Sequence, residues 1–130
     1  RDIIGCLNNW VDGWVDWNMV LDRQGGPNWF KNWCIAPVIV DPDKDEVYFT
    51  PLYYTLAHFS KYIRPDATVI GVKKSDEELL VTAAKNPDGS IAVVLLNQTA
   101  KKKQFSLSLG EKNKKVSISP QAIQTLIITN

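Results

Sequence analysis

The chain has 130 residues, 45% hydrophobic and 22% charged, the composition of a packed globular protein made of one domain, or of one domain and part of another. Lys and Arg number 15 against 14 Asp and Glu, a formal net charge of +1, so no bulk electrostatic footprint points to nucleic acid. Apolar runs such as Ile91 to Leu96 fall far below the roughly 18 residues of a membrane-spanning helix.

In chain order, Ile3, Ile4, Leu7 and Val11 recur at helical spacing and predict a helix ending near Asp12 and Gly13. Trp14 to Leu21 is rich in strand formers, and Asp22 to Asn28 supplies turn chemistry through Gly25, Gly26 and Pro27. Val38 to Val40 and Glu46 to Phe49 flank Asp-Pro-Asp-Lys-Asp, which predicts a hairpin. Thr50 before Pro51 reads as an N-cap with proline at the first helical position; Leu52 to Ile63 follows as a well-buried helix. From Thr68 the texture changes to short strands between turns: Val69 to Val72, Leu79 to Ala84, Ile91 to Leu96, Gln104 to Leu109, Val116 to Ser119 and Ile123 to Thr129. Phe105, Leu107 and Leu109 alternate with Gln104, Ser106 and Ser108, the pattern of a half-exposed antiparallel strand, so this half is expected to be a small β-sandwich. The boundary is placed between 1–66 and 67–130. The lysine clusters Lys101 to Lys103 and Lys112 to Lys115 are read as solvated turns that discourage edge pairing.

Several chemistries are disfavoured by the residues present. The only histidine, His58, falls mid-helix with Ser60 two positions on, and such residues do not face each other, so a packed or hydrogen-bonded histidine is expected rather than a catalytic base. Cys6 and Cys34 lack metal or redox spacing and are read as half-buried thiols, and no metal or cofactor is expected. Asp41, Asp43 and Asp45 begin like a calcium loop, but Glu46 stands where glycine is needed and Leu52 where the bidentate glutamate belongs. Asp12 and Asp16 do not form a readable glycosidase pair. Asn97-Gln98-Thr99 is a glycosylation sequon, which makes Asn97 a candidate acceptor. The strongest signal is aromatic: Trp10, Trp14, Trp17, Trp29 and Trp33 are all the tryptophans in the chain. Flat rings suit the C–H faces of a sugar, with nearby Asp and Asn to bond its hydroxyls; three or four of the five are expected in the core and one or two at a pocket.

The stretch Gly13-Trp14-Val15-Asp16-Trp17-Asn18-Met19-Val20-Leu21, then Gly25-Gly26-Pro27-Asn28-Trp29 and Asn32, closely resembles the glucosylceramidases of glycoside hydrolase family 30. The likeness runs on through Pro37 to Asp41, Tyr54 to Ile63, Asn86 to Ser90 and Val93 to Asn97, and the chain aligns with the family's C-terminal quarter. Trp33 stands where the family carries phenylalanine, and Cys6 where it carries asparagine. The resemblance implies the last βα unit of a TIM barrel, comprising the end of helix 7, strand 8, an active-site loop and helix 8, followed by an antiparallel β-sandwich. It implies part of a retaining β-glucosidase that splits glucosylceramide into glucose and ceramide. Trp17 and Asn32 would be substrate-binding, with Asp16 and Trp33 as neighbours. The family's two catalytic glutamates lie upstream of Arg1, and Glu46, Glu77, Glu78 and Glu111 match neither motif. No catalytic residue is therefore expected in this chain, which would be inactive alone. Implied partners are a β-glucoside or glucosylceramide, the remainder of the barrel and a lipid-presenting activator protein; the implied location is lysosomal or secreted. Two alternatives stay open: a family 30 hydrolase acting on another β-linked sugar, or a non-catalytic sugar-binding β-sandwich module.

Overall fold

The computed structural model describes residues 1–129. Helix α1 spans Asp2–Leu7 and strand β1 spans Val20–Asp22. The hairpin β2 (Val38–Asp41) and β3 (Glu46–Phe49) leads into helix α2 (Pro51–Ser60). Six strands complete the chain: β4 (Thr68–Ile70), β5 (Leu79–Lys85), β6 (Ile91–Asn97), β7 (Lys103–Leu109), β8 (Lys112–Ile118) and β9 (Ala122–Ile128). They form three sheets, ordered β1-β2-β3, β4-β5-β6-β9 and β7-β8. Among the described residues only β1 and β2 pair in parallel; every other ladder is antiparallel.

The central sheet is buried on both faces, and the period-2 alternation of its strands divides the two cores. Leu79, Val81 and Ala83 of β5 with Val93 and Leu95 of β6 face the β7-β8 ribbon, which contributes Ile118 and Phe105. The intervening positions turn the other way: Val94 packs with Ile4 of α1 and Phe59 of α2, beside Leu80, Leu96 and Ile123. The helices are thus bolted onto the outer face of the sandwich. Asn8 Nδ2 donates to the Val81 carbonyl at 2.8 Å. Asn86, itself buried, donates to the Tyr62 carbonyl at 3.0 Å and accepts from Arg64 N–H at 3.0 Å, closing the end of α2 onto the turn before β6.

Several elements depart from the sequence expectations. The strand expected over Trp14 to Leu21 is reduced to Val20–Asp22, because β1 has a ladder partner on one side only, where a parallel barrel strand draws on neighbours at both edges. Helix α2 ends at Ser60 and buries only Phe59, so it is not the well-buried helix expected. Thr50 does sit at its N-cap, but its hydroxyl donates to the Pro37 carbonyl at 3.0 Å and ties the helix start to β2. Lys101 and Lys102 lie in the connection between β6 and β7, as expected, but the second cluster is not a turn. Lys112, Lys114 and Lys115 are exposed residues of β8, and Lys103 opens β7 with its ammonium on Asp76 at 3.0 Å and on Glu78. The turn lies at Gly110, with φ of 58°. Lysines suit β8 because a two-stranded ribbon leaves that edge in solvent, where a long charged side chain resists pairing.

Candidate functional site

Beyond the C-terminal end of β1 the chain makes a tight turn built on Asp22. Its Oδ1 accepts from Gln24 N–H at 2.8 Å and from Gly26 N–H at 2.9 Å, and its carbonyl accepts from Gly25 N–H at 3.0 Å. Gly25 has φ of 87°, and a Cβ there would drive into the Cys34 carbonyl oxygen and lie 2.8 Å from Cys34 N, so only glycine fits. Cys34 N–H donates to the Gly25 carbonyl at 3.3 Å and closes the loop. The Gly26–Pro27 bond is cis. Asp41, only 2% exposed, anchors the strand next door by pairing with Arg23 at 3.1 Å.

This loop and the segment before β1 frame an open groove of about 500 Å³, lined by Trp17, Asn18, Asn28, Trp29, Lys31 and Asn32 among others. Of the residues singled out from sequence, Trp17 and Asn32 therefore meet in one groove. Asp16 and Trp33 flank it instead. Asp16 Oδ1 accepts from Trp17 N–H at 2.8 Å and so orients the residue that carries the ring. Trp33 lies over Gly26, its ring 3.3 Å from where a Gly26 Cβ would stand. The expectation that most tryptophans are core is overturned: all five are exposed, from 41% at Trp14 to 98% at Trp29. Their density marks a rim rather than a core, because the strands that would close a barrel around them exceed the one parallel pair this chain supplies. Sequence reasoning passed over Asn28 and Lys31. The polar side-chain atoms of Asn28 are buried without a partner among the described residues, and the Gly-Gly-Pro turn just before it was the available signal.

Elsewhere the titratable groups serve structure. His58 is half-buried on α2; its Nδ1 lies 2.8 Å from Thr125 Oγ1, whose hydroxyl donates to the His58 carbonyl at 3.3 Å, so Nδ1–H is the donor. Burial holds its pKa below the ordinary histidine value. Tyr48 is pushed up, first by its hydrogen bond to the Glu46 carboxylate. Asp76 is held down, first by the Lys103 ammonium. The candidate glycosylation residue Asn97 is fully buried, and its amide donates to the Lys101 and Ser119 carbonyls, each at 2.8 Å. Both amide hydrogens are thus spent on loop closure. Cys6 and Cys34 are half-buried free thiols, as expected. Among the described residues no three His, Cys, Asp or Glu side chains gather in a way that would hold a metal ion, and no helix is long and apolar enough to cross a membrane.

Residues 1–63 match the glycosyl hydrolase family 30 TIM-barrel domain, and residues 66–126 match the glycosyl hydrolase family 30 β-sandwich domain. The chain is 40% identical over 136 aligned positions to putative glucosylceramidase 2 of Caenorhabditis elegans, covering 99% of this chain and 26% of that protein. It is 40% identical over 109 positions to the lysosomal acid glucosylceramidase of Mus musculus, covering 83% of this chain and 21% of that enzyme. Among solved structures, SrfJ from Salmonella typhimurium superposes with a TM-score of 0.96 at 30% identity, over 99% of this chain and 29% of that one. The endo-β1,6-glucanase BT3312 superposes with a TM-score of 0.85 at 28% identity, over 94% and 28%. The chain therefore spans about a quarter or less of the length of these curated relatives. One βα unit of a TIM barrel joined to an antiparallel sandwich, matched in order by both domains of one family, makes this chain a member of glycosyl hydrolase family 30.

Proposed function

We propose that this chain is the C-terminal portion of a retaining β-glucosidase acting on glucosylceramide, in which residues 1–66 form one wall of the glucose pocket and residues 67–130 brace it. The observation that carries the reading is the convergence of Trp17 and Asn32 on one groove beyond the C-terminal end of β1. That is the end of the strands at which TIM-barrel enzymes build their sites. The Trp17 ring offers a flat apolar face to the C–H side of a glucosyl unit. The Asn32 amide has both a donor and an acceptor for adjacent hydroxyls. Asp16 steadies Trp17 through its backbone N–H, and Trp33 lies over Gly26.

Retaining hydrolysis needs an acid/base carboxyl and a nucleophilic carboxylate about 5 Å apart. The groove is lined by no carboxylate, so the reading places both on the remainder of the barrel and has this chain hydrolyse nothing alone. The remainder of the barrel is thereby a required partner. The 40% identity to the mouse lysosomal acid glucosylceramidase supports the lipid glucoside as substrate and a lysosomal location; a secreted location and assistance by a lipid-presenting activator protein belong to the proposal through the family resemblance alone. A second reading, hydrolysis of a β-1,6-linked glucan, is favoured by the endo-1,6-β-D-glucanase of Trichoderma harzianum, 30% identical over 100 positions, and by the BT3312 superposition. Assaying the complete gene product on glucosylceramide micelles and on β-1,6-glucan decides between them. Release of glucose from the lipid and not from the glucan is expected; the reverse would replace the first reading with the second.

A further inference from the structure

We propose that Asn28 is a further sugar-binding residue of the groove, its amide sealed at rest and turned onto glycosyl hydroxyls when the loop moves. This deepens the β-glucoside reading and rests on it. Asn28 shares the groove lining with Trp17 and Asn32. The residue is partly exposed, yet its Nδ2 and Oδ1 are closed off from water and have no hydrogen-bond partner among the described residues. Such an amide forgoes the bonds that water gives it in the unfolded chain, a cost that an apolar side chain of the same shape would avoid. An asparagine that works against folding in the lining of a groove points to a use outside folding.

The chain on either side of Asn28 is fixed. Asp22 caps the turn ahead of it, and Cys34 N–H returns to the Gly25 carbonyl behind it. The backbone is not peculiar to a short chain either: it superposes on SrfJ, of which it covers 29%, with a TM-score of 0.96 over 99% of its own length. The amide is sealed by atoms of this chain, so a permanent neighbour from the remainder of the barrel finds no path to it in this arrangement. A partner that does pair with it arrives together with a movement of the loop, as a ligand does. The groove stores the means for that movement. Asn18, before β1, and Lys31, in the loop after it, both line the groove and hold φ of 49° and 57°, a left-handed backbone that residues with a Cβ adopt at a cost. Turned outward beside the Trp17 ring, the amide has Nδ2–H to donate to one hydroxyl and Oδ1 to accept from the next, the pair that a glycosyl diol presents.

The test measures the melting temperature of the complete gene product and its inhibition by 1-deoxynojirimycin, an iminosugar that carries the hydroxyls of glucose. Asn28→Leu replaces the amide by apolar groups of similar volume, and Asn28→Ala removes it. In at least one of the two, the unliganded melting temperature is expected to equal or exceed that of the wild type, since no resting bond is lost. In both, the inhibition constant is expected to rise about tenfold, the loss of one hydrogen bond, and KM for an aryl β-glucoside with it. A lowered melting temperature in both variants overturns the proposal, because it shows the amide paired in the resting protein, with the remainder of the barrel as its partner. An unchanged inhibition constant in both overturns it as well. A wild-type protein that neither binds the iminosugar nor hydrolyses the glucoside overturns instead the β-glucoside reading beneath it.

Discussion

The two halves of the molecule bury their apolar residues to opposite degrees. In the sandwich, alternate residues of β5, β6 and β9 fill two cores, and Ile118, Val94 and Thr82 are almost wholly removed from water. Before α2, by contrast, Trp10, Val15, Trp17, Met19, Trp29, Phe30 and Ile35 are all more than two-thirds exposed. The same chain therefore contains a region whose apolar side chains hold it together and one whose apolar side chains wait for something else. Apolar area of that extent on one side of a protein marks a surface made to be covered, by a ligand or by further protein. Sequence hydrophobicity alone cannot separate the two kinds, because both halves are rich in apolar residues.

This contrast can be broken at several points. The largest effects belong to positions with no room. Ile118→Ala, which empties a fully packed site in the sandwich, is expected to cost about 2–5 kcal/mol of unfolding free energy in a denaturant titration. Gly25→Ala forces a Cβ into the Cys34 backbone at positive φ and should cost about 3 kcal/mol or abolish the groove loop outright, read as loss of sugar-induced fluorescence change. Next comes the seam between helices and sheet: Asn86→Ala leaves the Tyr62 carbonyl and the Arg64 N–H without their partner and should cost about 2 kcal/mol.

A smaller effect is expected from pH. Burial lowers the His58 pKa in the folded chain, so the unfolded chain binds its proton first as pH falls. The stability tied to neutral His58 is complete above the unfolded value of about 6.5 and declines as pH drops from there through the lowered folded value. Half-exposed as His58 is, solvent screening keeps the effect under about 1 kcal/mol. It should appear as a difference in pH slope between the wild-type chain and His58→Gln in thermal melts. The smallest stability effect is expected on the open side: Trp17→Ala should shift unfolding by less than about 0.5 kcal/mol, because the ring is 73% exposed, while sugar binding is lost. A loss of several kcal/mol there would erase the distinction between the two regions.

Much of this was legible from residues alone. The strands of the sandwich follow from alternation and turn residues, which act locally: Phe105, Leu107 and Leu109 against Gln104, Ser106 and Ser108 placed β7, and Asn86 to Gly89 placed the turn before β6. What local pattern could not show was context. Trp14 to Leu21 has the composition of a full strand, yet only Val20–Asp22 is paired, because strand formation there depends on neighbours remote in sequence. The lysines of β8 read as a turn because nothing local reveals that their strand is an unprotected edge. At the groove, Trp17 and Asn32 were legible through resemblance to a known family, with Trp density as the independent signal. Asn28 and Lys31 were not, since their interest lies in an unpartnered amide and a backbone angle.

The most direct measurement is the intact mass of the complete gene product after treatment with a mechanism-based inactivator of retaining β-glucosidases, followed by mapping of the labelled residue. The account predicts one glycosyl adduct, on a carboxylate outside the 130 residues described, formed far more slowly when Trp17 and Asn32 are both replaced by alanine. An adduct on Glu46, Glu77, Glu78 or Glu111, or labelling indifferent to loss of Trp17 and Asn32, would contradict it.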